Sequence, residues 1–201
     1  MKSLQPWWLM VLLMILAAAC GGGNKKKNQE NKMQHAMPEK KITFSMDTTF
    51  HEYHFSIFTR GDATMRNLYV GIGSVKDTTR ADTVVEKDIK GTIANVTVAD
   101  LDNDGKPEVY VFTTSSGTDQ YGKVYGLAIL GRRAVEINTD AIDSLAEKDY
   151  RGRDSFYVSG KELVRTFPAF RGDEEVELKS DSIRMVRYKL IKSGNTYVLK
   201  E

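Results

Sequence analysis

From residue 41 onward, apolar and polar positions alternate with the two-residue period of strands that bury one face. Ile42, Phe44 and Met46 open the pattern, with Thr43 and Ser45 between them. Between Phe50 and Thr59, Tyr53, Phe55 and Ile57 alternate with His54, Ser56 and Phe58. Leu68, Val70 and Ile72 repeat it, as do Ala94, Val96 and Val98. Val109 and Val111 then stand opposite Tyr110 and Phe112. Further strands are predicted over residues 124–130, 156–158, 163–167, 185–191 and 196–199. Ser159-Gly160-Lys161 and Ser193-Gly194-Asn195 each lie between two such runs and read as hairpin turns. Only residues 140–148 carry helical spacing, through Ile142, Leu145 and Ala146, with Asp140 placed as the N-cap. Many short strands with tight turns and one short helix predict an all-β fold, an antiparallel sandwich or barrel-like sheet.

The first forty residues have a different texture. Lys2 precedes an unbroken apolar run from Trp7 to Ala19. That run is too short to cross a bilayer as a helix, and it suits the apolar core of an export signal. It ends in Leu16-Ala17-Ala18-Ala19-Cys20, which resembles the lipobox of bacterial lipoproteins. The resemblance implies a signal peptide over residues 1–19 and a lipidated Cys20 as the first mature residue. It places the protein in the bacterial cell envelope, on the periplasmic or surface side of the outer membrane. Residues 21–32 contain no apolar side chain to pack, so 20–40 reads as a flexible tether and 41–201 as a single β domain. Two or more acyl chains would hold such a tether stably on a membrane.

Composition narrows the function. With 41% hydrophobic and 28% charged residues, the 201-residue chain has the balance of a globular protein. Lys and Arg number 29 against 27 Asp and Glu, a net charge of +2. So small a surplus argues against a general nucleic-acid binder, which needs a concentrated basic face. One cysteine allows no intrachain disulfide. Of the histidines, His35 lies in the tether, and His51 and His54 are placed on opposite faces of one strand, so they form no ligand pair. Gly-rich phosphate loops and nucleophile elbows are missing from the sequence, and no enzyme activity is expected.

Two stretches carry candidate chemistry. The first is Asp100-Leu101-Asp102-Asn103-Asp104-Gly105-Lys106-Pro107-Glu108. Carboxylates at relative positions 1, 3, 5 and 9 around a glycine turn can converge on a hard cation, and calcium is the ion that six to eight oxygens suit. Val111 stands where an EF-hand has its last glutamate, and a strand follows instead of a helix, so the pattern is closer to that of calcium loops between strands. The other reading is a tight turn whose aspartates bond their own backbone. The second stretch, residues 113–122, is a run of small polar residues with Tyr121 near its end, placed between two strands. A polar loop on a rigid sheet suits binding, and Tyr121 suits an interface anchor; a plain hairpin with Tyr121 folded back is the alternative.

The stretch ADLDNDGKPEVYVFTTSSGTDQYG, from Ala99 to Gly122, resembles the central signature of the periplasmic inhibitors of invertebrate-type (i-type) lysozyme. The resemblance continues in YRGRDSF from Tyr150, in ELVRTFPAFR from Glu162 and in RMVRYKLI from Arg184, in the family's order. It implies a sandwich-like β fold, often a homodimer, exported to the periplasm, with lysozyme as partner. It also implies a loop that enters the lysozyme cleft and occupies its catalytic carboxylates, carried here by Ser115, Ser116, Gly117, Thr118 and Tyr121. Hydroxyl donors suit a cleft whose acid is held protonated, and glycine permits close backbone approach. Two departures stand in this chain: three residues separate Gly117 from Tyr121, and Asp119 brings a carboxylate toward two others. Arg165, Arg171, Arg184 and Arg187 are expected on the sheet surface. The alternative function is a calcium-stabilised envelope module, built on Asp100, Asp102, Asp104 and Glu108 and lacking inhibitor activity.

Overall fold

A computed structural model describes residues 41–61, 65–143, 150–170 and 182–201. The expected signal peptide, Cys20 and the tether lie outside the described residues, as do Arg171 and the second half of the expected helix. The chain is all-β. Strands β1 (Ile42–Phe50), β2 (Tyr53–Arg60), β3 (Met65–Ser74) and β4 (Thr83–Lys90) form an antiparallel meander in that order. A second sheet contains β5 (Thr92–Ala99), β6 (Glu108–Thr114), β7 (Gly122–Leu130) and β8 (Arg133–Asn138). It continues through β9 (Ser155–Ser159), β10 (Glu162–Ala169), β11 (Ser182–Ser193) and β12 (Thr196–Lys200). Its order is β5-β6-β7-β8-β12-β11-β10-β9, and the edge strands β5 and β9 approach one another, so the sheet curls into a nearly closed barrel.

Two apolar cores follow from this arrangement. Tyr110, Phe112, Leu163, Phe167, Tyr188 and Leu199 fill the inside of the curled sheet. Phe55, Ile57, Val70 and Ile89 of the meander pack on Val96, Val109, Val111 and Leu127, on the outer side of the same sheet. Strand β6 is therefore buried on both faces, which its unbroken apolar run from Val109 to Phe112 permits. The hairpin turns are as expected, with Gly160 and Gly194 both at positive φ.

Several local expectations are corrected. The pairing of β8 with β12 is parallel, at the joint in the middle of the sheet where the antiparallel runs β5–β8 and β9–β12 meet. Residues 50–59 do not form one strand: Phe50 ends β1, and His51, with φ 51°, sits in the turn to β2. Strands β4 and β8 had no counterpart in the periodicity. The described part of the helix, α1, runs over Asp140–Asp143. Its cap lies one residue earlier than expected, since the Thr139 carbonyl accepts the N–H groups of Ile142 and Asp143.

Candidate functional site

The polar loop 115–121 projects from the hairpin of β6 and β7. Ser115 closes its neck twice: its N–H donates to the Tyr121 carbonyl and its Oγ accepts the Tyr121 N–H, each at 2.9 Å. Beyond this neck, Ser116, Gly117, Thr118, Asp119 and Gln120 are all exposed. The Ser116 hydroxyl makes no hydrogen bond among the described residues, and Thr118 reaches only the carboxylate of Asp119, at 3.5 Å. A Cβ at Gly117 would meet no atom within 4 Å, so packing within the chain does not require glycine there. Tyr121 is 47% exposed and rests edge-to-face on Tyr150, with ring centroids 5.7 Å apart. The ring thus leans back on Tyr150 and still presents about half its surface.

The segment 150–154 holds this loop from behind. The Arg153 N–H donates to the carbonyls of Asp119 and Gln120 at 2.8 and 3.2 Å. Gly152 has φ 83°, and a Cβ on it would lie 1.9 Å from the Asp119 carbonyl oxygen, so only glycine fits. The Asp154 carboxylate accepts the N–H of Gly122 at 2.6 Å and the hydroxyl of Tyr150 on the same oxygen. Its other oxygen accepts Arg165 Nε at 2.6 Å. Arg165 also donates to the Ile142 carbonyl at 2.8 Å and lies over the rings of Tyr150, Phe156 and Phe167. Both side chains are buried, 0% exposed for Asp154 and 3% for Arg165. Burial works against the guanidinium charge, and Asp154 outweighs it, so Arg165 is held above its ordinary pKa. Burial, and then the bond to Asp154, hold the Tyr150 phenol above its own.

This corrects the expectation for Arg165, which is a core residue and not a surface one. The period-2 pattern itself carried the signal, because Arg165 falls on the same face as Leu163 and Phe167, both fully buried. Arg187 behaves as expected, pairing with Glu162 on the exposed face. A cleft of about 410 Å³ opens beside the loop, lined in part by Lys90, Ser115, Tyr121, Lys123, Tyr150 and Arg165.

The acidic stretch turns sharply between β5 and β6. Asp100 accepts the N–H groups of Asp104 and Gly105, Asp102 that of Asp104, and Asp104 that of Lys106. Asn103 and Gly105 adopt positive φ, at 59° and 85°. This is the self-bonded turn that Asp, Asn and Gly form readily. The same fold brings one carboxylate oxygen each from Asp100, Asp102, Asp104 and Glu108 within 4.8 Å of one another. Oxygens on opposite sides of one calcium ion stand about 4.6–5.2 Å apart. The four sequence-predicted residues therefore meet in one cluster that could hold a metal ion. Glu108 is 2% exposed and accepts the Leu101 N–H at 2.8 Å. Burial pushes its carboxyl up to about 8; the charges of Asp102, Asp100 and Asp104 add to this, against the Leu101 bond. The neighbouring Tyr110 is fully buried, and among the described residues its hydroxyl has no hydrogen-bond partner; burial, and then the charges of Glu108 and Asp102, oppose its ionisation. Lys192 Nζ lies 3.7 Å from Asp104 and offsets part of the negative charge.

No protein-family model, no curated protein and no solved structure matches this chain.

Proposed function

We propose that the protein is an envelope lipoprotein that binds a lysozyme and inhibits it by inserting loop 115–121 into the catalytic cleft. The observation that carries this reading is the loop itself: a narrow projection, held at its neck, presenting the hydroxyls of Ser116 and Thr118 and half of the Tyr121 ring. The sequence resemblance to the i-type lysozyme inhibitors names the partner. Ser116 and Thr118 donate to the carboxyl groups of the cleft, Gly117 lets the backbone approach them, and Tyr121 lies against the wall where a sugar would stack. Ser115 closes the loop, its Oγ accepting the Tyr121 N–H. Cys20 carries the lipid that keeps the protein at the membrane.

Titration against i-type, chicken-type and goose-type lysozymes acting on peptidoglycan tests the proposal. Stoichiometric loss of one activity, abolished by Tyr121→Ala, supports it. Full activity of all three enzymes at excess protein removes it.

A second reading is favoured by the acidic cluster. Asp100, Asp102, Asp104 and Glu108 bind calcium, which stabilises the β domain by binding only its folded form. A rise in melting temperature with added calcium, absent in Asp102→Asn, is the expected result. No shift at millimolar calcium removes it.

A further inference from the structure

We propose that Asp154 and Tyr150 are positioning residues for loop 115–121, so that the partner meets a loop already set in its binding conformation. This rests on the reading of the loop as the inserted element. Neither residue needs to touch the partner to act. The Asp154 side chain is wholly buried, and it joins three parts of the chain at one carboxylate. One oxygen takes the loop's exit amide, Gly122, together with the Tyr150 hydroxyl; the other takes Arg165 in the barrel wall. Tyr150 passes the constraint outward, because its ring is the surface on which Tyr121 leans. Phe167 also holds that ring, edge-to-face at 5.0 Å.

The backbone supplies a second hold on the same exit limb of the loop, just before Gly122. Arg153 donates to Asp119 and Gln120, and Gly152 leaves the room that this approach needs. Gln120 has φ 47°, a left-handed conformation that an unrestrained glutamine rarely keeps. A loop fixed in this way gives up little conformational entropy on binding, and the saving appears as affinity. A loop of the same composition without the clamp would have to order on contact.

Tyr150→Phe is the first test, because it removes the hydroxyl and keeps the ring. Native-state hydrogen exchange of the full chain reads the clamp without any lysozyme. The amide of Gly122 should exchange about tenfold faster in the variant, with Val111 in the centre of β6 unchanged. Binding to a lysozyme that the wild type inhibits should weaken about tenfold, chiefly through slower association, since the loop must now order before it docks. Gly152→Ala is the second variant, and it should free the Arg153 amide in the same local manner. Asp154→Asn leaves the buried Arg165 charge without its partner and serves only if it folds. Unchanged exchange at Gly122, or exchange that rises in step with Val111, overturns the proposal and leaves these residues as ordinary core. A wild type that binds no lysozyme removes the inhibitor reading, and the exchange rates still decide whether the clamp exists.

Discussion

Ser115 and Ser116 are adjacent and chemically identical, yet the fold separates their tasks. Ser115 holds the Tyr121 amide, and Ser116 points its hydroxyl at solvent. Ser115→Ala should therefore lower stability by about 1 kcal/mol, the worth of an ordinary hydrogen bond, in denaturant unfolding. Ser116→Ala should leave that midpoint unchanged and weaken lysozyme inhibition about tenfold, the loss of one hydrogen bond to a charged group. Asp119 makes the opposite prediction. Its carboxylate is exposed; on the proposed mechanism it is carried toward a cleft lined with carboxylates, and like charges in such proximity repel. Asp119→Asn should tighten inhibition several-fold in the same titration. Weaker inhibition would mean that Asp119 meets a cation on the partner. These loop residues were legible from type and position. Arg165 was misjudged because its charge outweighed its register, although alternation had already placed it beside Leu163 and Phe167.

Strand β6 links both candidate sites. The acidic turn enters at Glu108 and the polar loop leaves after Thr114. Its continuous apolar run made it the most readable element of the chain, and both of its faces are covered as such a run requires. Strands β4 and β8 were not readable. In β4 only Ile89 is fully buried, and Glu86, Lys87, Asp88 and Lys90 fill much of the rest. Short, half-exposed strands leave too few apolar positions for a period to emerge, and they form because a neighbour offers a ladder. The clamp at 150–154 was equally hidden. Its residues stood out as a block, but their partners lie some thirty positions earlier, and only the closure of the barrel brings them together. Within β6, Phe112 is the strongest test of that closure, stacked on Phe156 at 5.5 Å between centroids. Phe112→Ala should cost about 3–5 kcal/mol in denaturant unfolding, as buried aromatic truncations do. A cost below about 1 kcal/mol would mean that the barrel interior is not packed as described.

At the scale of the molecule, the two proposed activities sit at opposite ends of one strand. The rise from Glu108 to Thr114 along β6, at about 3.4 Å per residue, puts roughly 20 Å between the acidic cluster and the loop. Among the described residues no group is shared by both: Lys192, the Leu101 N–H and Tyr110 attend the cluster, and Tyr150, Asp154 and Arg165 attend the loop. Groups this far apart with no shared partner act additively to within about 0.3–0.5 kcal/mol, a factor of about two in an equilibrium constant. Calcium should accordingly raise the melting temperature and leave the lysozyme dissociation constant within about twofold of its value in chelator. Glu108→Gln should abolish the thermal shift and keep the inhibition. Isothermal titration of a bound lysozyme, with calcium and then with chelator, provides the check. A larger change in affinity would require β6 to transmit strain along its length, and would make the acidic turn a regulator of the loop instead of a local staple of the fold.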